Sequence, residues 1–87
     1  MIRSENFLLQ EVAGSQVIVP VGDATREFAG IVTLNAAGVH LWNALQTEQT
    51  KESLAKVLTD RYEVSNAQAM ADVEKFLQKL KNVGAVK

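Results

Sequence analysis

The sequence predicts an α+β domain, a three-stranded antiparallel sheet followed by three helices. Three observations carry this. β-Branched and alternating apolar runs occupy the first 34 positions. Apolar stripes at helical spacing occupy the remainder. The two patterns do not interleave, which argues against a doubly wound parallel sheet.

Each element has its own local reason. Residues 6–13 read as the first strand, with Phe7, Leu9 and Glu11 on one face and Leu8, Gln10 and Val12 on the other. Ala13-Gly14-Ser15-Gln16 reads as a turn, and Val17–Val21 as the second strand of a hairpin. Pro20 has no N–H for a ladder, so it belongs on an edge or at a strand end. Gly22–Glu27 is a polar connection, and residues 28–34 return as the third strand, which Gly30 opens. Asn35 then caps a helix over 36–46 on Ala37, Leu41, Ala44 and Leu45, with Gly38 in its first turn leaving room for a close neighbour. Thr50 caps a second helix over 51–62, striped by Leu54, Val57, Leu58 and Tyr62. Ser65 and Gln68 form a capping-box pattern before a third helix over 66–83. Its stripe is Ala69, Val73, Phe76, Leu80 and Val83, widened by Met70 and Leu77. Gly84 stops it, and Ala85-Val86 is expected to fold back onto the body.

Composition excludes much. Eighty-seven residues make a single domain over 1–87 with a small core. There is no cysteine, hence no disulfide, thiolate metal site or cysteine nucleophile, which fits a reducing, cytoplasmic setting. The first residues show no signal peptide, and no membrane span is expected. A net charge of −1 argues against a dedicated polyanion binder. His40 is the sole histidine and is read as a helix-surface residue, so no zinc set is available. Asp23 and Glu27 share a loop with Arg26, and Asp60 and Glu63 flank a helix end; solvated charges explain both pairs. No nucleophile elbow, P-loop or dinucleotide fingerprint occurs. The expectation is a protein with no catalytic residue, no metal and no cofactor. Trp42 is read as packing, and Val39 as exposed.

Several segments together carry a family resemblance. They are Val17 to Gly22, Phe28 to Asn35, Gly38, Leu41-Trp42, Leu54, Leu58 and Tyr62-Glu63-Val64, followed by Asp72-Val73, Phe76-Leu77, Leu80 and Gly84. In order and spacing the chain resembles the PqqD family, small proteins of pyrroloquinoline quinone biosynthesis with relatives in ribosomal-peptide modification clusters. It is more similar to the broad PqqD-like group than to the dedicated quinone-pathway member. The resemblance implies a winged helix-turn-helix-like domain acting as a precursor-peptide recognition element. A leader peptide would add as a strand beside the third strand, in a groove bounded by the third helix. A separate modifying enzyme, often a radical S-adenosylmethionine protein, would then act on it.

On that reading the peptide-binding residues are Gly30, Ile31, Val32, Thr33 and Leu34 on the strand. Val73, Phe76 and Leu77 form the helix wall, with Asp72 and Lys81 at its rims. The strand physics is independent of the resemblance: a free edge is a template for another strand, and Ile31 and Thr33 face opposite to Val32 and Leu34. Proline at Val32 would then remove a ladder donor. Two alternatives compete. One is a winged-helix DNA-binding regulator, for which Lys75, Lys79 and Lys81 are offset by Asp72 and Glu74 and no arginine is present on the helix. The other is a homodimerising scaffold that pairs through its free edge.

Overall fold

In the computed structural model, which describes residues 1–22 and 31–87, the sheet comes first and the helices follow. The strands are β1 (Phe7–Val12), β2 (Ser15–Pro20) and β3 (Val32–Leu34), and the helices are α1 (Ala36–Ala44), α2 (Lys51–Arg61) and α3 (Asn66–Val83). The sheet is antiparallel in the order β1-β2-β3. Of the expected third strand, 28–34, the described residues show Val32–Leu34 as strand, with Ile31 just outside it. Gly30, Phe28 and the Asp23, Arg26 and Glu27 cluster fall outside the described residues.

The β1–β2 hairpin turns in two residues, Ala13 and Gly14, at φ 51° and 82°. Both angles are left-handed, as a type I′ turn requires, and Ala13 takes this conformation against the preference of its side chain. The turn is two residues tighter than the sequence pattern suggested, because Ser15 and Gln16 already pair with Val12 and Glu11.

Pro20 ends β2, the central strand, opposite Phe7. It sits at a strand end and not on an outer edge, and there its missing donor costs the ladder least.

The inner face of the sheet and the three helices enclose one core. Ile18, Leu41, Trp42, Leu45, Leu54, Val73, Leu77 and Leu80 are its largest buried side chains on that side. Trp42 is almost fully buried, and its carbonyl accepts from the Arg3 guanidinium, which also lies 5.3 Å over the ring. Val39, expected to be exposed, is half-buried against this core. Tyr62 follows the last turn of α2 rather than joining its stripe, remains 37% exposed, and meets the His40 ring at 6.2 Å.

Caps fix the helix ends. Thr50 and Ser53 form a reciprocal capping box at α2, with backbone–side-chain distances of 3.0 and 2.9 Å. The Ser65–Gln68 pattern is only half realised: Ser65 Oγ accepts from the Gln68 N–H, but the Gln68 amide bonds Asp72 instead of reaching back. At the far end, the Gly84 and Ala85 N–H groups return to the Lys81 and Leu80 carbonyls. This closing turn brings Ala85 into the core and Val86 alongside Arg3.

Two substitutions test this account. Ala13→Asn supplies the preferred Asn-Gly turn and should stabilise the domain by about 1 kcal/mol. That raises Tm by roughly 4–8 °C in a thermal melt. Leu80→Ala removes a fully buried side chain from the α3 stripe and should cost about 2–5 kcal/mol, read as a lower midpoint in urea.

Candidate functional site

The chain leaves the sheet at Asn35 and enters α1 at once. The Asn35 side chain accepts from the Gly38 N–H at 2.8 Å, which satisfies one orphan donor of the first turn. Gly38 is buried there: a Cβ at this position would lie 3.3 Å from Leu34 Cβ and from Asn35 Oδ1. Leu34 therefore packs on the bare backbone of α1, and this contact holds the end of β3 against the helices. Gly38→Val should push Leu34 out of place and cost about 1–3 kcal/mol, measurable by chemical denaturation.

β3 pairs on one side only, with β2, so its other side is a free edge among the described residues. The tight hairpin decides which backbone groups that edge offers. Across a two-residue turn the flanking pair, Val12 and Ser15, exchanges hydrogen bonds, and pairs alternate from there. Odd-numbered residues of β2 thus bond β1 and even-numbered ones bond β3. The Val21 N–H donating to the Asn6 carbonyl at 2.7 Å obeys the same parity. Since Gln16 pairs with Leu34 and Ile18 with Val32, those two β3 residues spend their N–H and C=O on β2. Thr33 alone within β3 directs both groups to the free edge. A proline at Val32 would break the sheet, so the informative position is Thr33.

The side chains divide as the alternation requires. Val32 and Leu34 are buried, whereas Thr33 is exposed and Ile31 is 55% exposed. The edge opens into a groove of about 520 Å³. Thr33, Leu34 and the first turns of α1, at Asn35, Ala37 and Gly38, form one wall. Leu41 and Leu58 form the apolar floor, and Asp72, Lys75, Phe76 and Lys79 of α3 form the opposite wall.

That wall is a different face of α3 from the expected one. Val73 and Leu77 are buried in the core and do not line the groove. Lys81 is exposed elsewhere, because nine residues beyond Asp72 is about two and a half turns, the opposite side of the helix. Asp72 and Phe76 do line it. Lys75 and Lys79 share their face by the i, i+3, i+4 rule, so the face was readable from Asp72 once the core stripe was fixed. Val73 and Leu77 are apolar, and the core needs such residues first.

Among the described residues no group of three or more histidine, cysteine, aspartate or glutamate side chains is placed to hold a metal ion. No described helix is long and apolar enough to cross a membrane.

Comparison with known proteins adds to this geometry. No curated protein sequence matches the chain significantly. A solved structure of TbiB1 in complex with the TbiA(β) leader peptide shares the fold, with a TM-score of 0.77 and 18% identity. The alignment covers 100% of this chain and 95% of that one. The sequence model of the PqqD family, coenzyme PQQ synthesis protein D, matches residues 8–86. The chain therefore belongs to the PqqD family.

Proposed function

We propose that this chain is a non-catalytic peptide-binding module of ribosomal-peptide modification, chaperone-like in its role. It takes the leader segment of a precursor peptide as an extra strand on β3 and presents the peptide to a separate modifying enzyme, such as a radical S-adenosylmethionine protein. Within this reading it works in the cytoplasm, where the precursor is made. The observation that carries the reading is the free edge at Thr33 opening directly into the groove under α3. Membership of the PqqD family, and a shared fold with a protein solved around a leader peptide, support it.

Magnitudes assign the parts. A three-residue edge offers only a few main-chain bonds, each worth about 0.5–1.5 kcal/mol net. A micromolar complex needs about 8 kcal/mol, so the edge sets register while the apolar floor at Leu41, Leu58 and Phe76 supplies most of the affinity. Val32, Thr33 and Leu34 form the receiving strand, with Ile31 just before it; Gly30 is expected to belong to the same binding segment. Asp72, Phe76, Lys75 and Lys79 face the peptide. Val73 and Leu77 support the wall from the core side.

The test is a titration of the isotopically labelled protein with the leader segment of a precursor encoded beside its gene. Amide shifts should concentrate at residues 31–34 and along Asp72–Lys79, leaving β1 unmoved. Thr33→Pro should weaken binding by about tenfold or more with Tm nearly unchanged, since it removes an edge donor and spares the ladder. Shifts along the outer edge of β1, or undiminished binding by the Thr33 variant, would remove the proposal.

A further inference from the structure

We propose that the groove selects leader segments carrying an acidic side chain beside an apolar one, and that Lys75 and Lys79 make this selection. The inference rests on the peptide-binding reading above and deepens it.

The charges of the groove are few. The β3–α1 wall contributes Thr33, Asn35, Ala37 and Gly38, none of them charged, and the floor is apolar. Among the described residues every fixed charge on the lining therefore comes from α3: one carboxylate, Asp72, against two ammonium groups. Lys51, Lys56 and Lys87 are engaged with Glu74, Asp60 and Glu5 at 3.6, 3.6 and 3.8 Å. Lys75 and Lys79 form no ion pair among the described residues. The protein as a whole has a net charge of −1, so this positive wall is local and not a consequence of bulk composition.

Asp72 does not cancel it. One carboxylate oxygen accepts from the Gln68 amide at 2.9 Å. Asp72 is one turn from Lys75 but two turns, about 10 Å along the axis, from Lys79. That distance matches the Debye length at about 0.1 M salt, so Lys79 is the less compensated of the two. The two lysines are four residues apart on one helix face, with Cβ atoms about 5–6 Å apart, within joint reach of a single carboxylate. Phe76 lies between them in sequence and Leu58 lies beneath, so a bound carboxylate would sit against apolar surface where its attraction to an ammonium group is strengthened.

The experiment pans a phage-displayed library of random linear peptides on the full chain, and in parallel on the double variant Lys75→Glu/Lys79→Glu. Both lysines are exposed, so the variant should still melt cooperatively, at a slightly lower Tm because the new carboxylates stand near Asp72 and Glu74. The native protein should enrich peptides with aspartate or glutamate next to a large apolar residue, and the variant should enrich lysine and arginine instead. Synthetic copies of the acidic peptides should bind Lys79→Gln about three- to fivefold more weakly, and Lys75→Gln with a smaller loss. Added NaCl should narrow the difference. Selected peptides that shift the Thr33 and Phe76 amides yet show no acidic enrichment would overturn the charge rule and leave strand addition standing. Peptides that bind away from β3 would overturn both. Tight, salt-dependent binding of a labelled DNA duplex, lost in Lys79→Gln, would assign the lysines to phosphate and overturn the peptide rule.

Discussion

The packing of Leu34 on the bare backbone of Gly38, beneath the Asn35 cap, is the contact on which the rest depends. It makes the chain turn from sheet to helix without a connecting loop. Three consequences follow. β3 runs straight into a helix, and among the described residues its outer side stays unpaired. α1 starts at the mouth of the groove, so its first turn becomes part of the wall. Leu34 is drawn into the core, which by alternation turns the Thr33 side chain outward. A side chain at position 38 would separate the two elements by several tenths of an ångström and blur all three.

The second constraint comes from the opposite end of the sheet. A two-residue hairpin has no freedom of register, so the turn at Ala13-Gly14 fixes which β2 residues face β1 and which face β3. Through β2 that choice reaches β3 and decides that the Thr33 main chain is the one left open. The open main chain of β3 is thus in register with a turn at the far end of the sheet.

α3 has two jobs on adjacent faces. Ala69, Val73, Leu77 and Leu80 close the core, while Asp72, Lys75 and Lys79 border the groove and Phe76 serves both. This division also bears on the DNA-binding alternative. A recognition helix reads base edges from its N-terminal residues. Here the lysines of the exposed wall lie in the later turns, facing the groove, and Gln68 near the start is bonded to Asp72.

The sequence by itself determined the element order, the helix starts at Asn35, Thr50 and Ser65, the stop at Gly84, and the role of β3 as the candidate edge. These are local properties: caps, periodicity and turn residues act within a few positions of themselves, and a strand followed directly by a helix leaves a recognisable junction. Val73 and Leu77, expected on the groove wall, lie buried in the core, for an equally physical reason. An apolar residue on α3 reads the same whether it faces a core or a cleft, and only the placement of α2 and the sheet says which. The charged wall of Lys75 and Lys79, the burial of Val39 and the open backbone of Thr33 likewise needed the tertiary structure. Each depends on which distant element lies opposite, or on a register passed through β2, and neither is encoded within the segment that displays it.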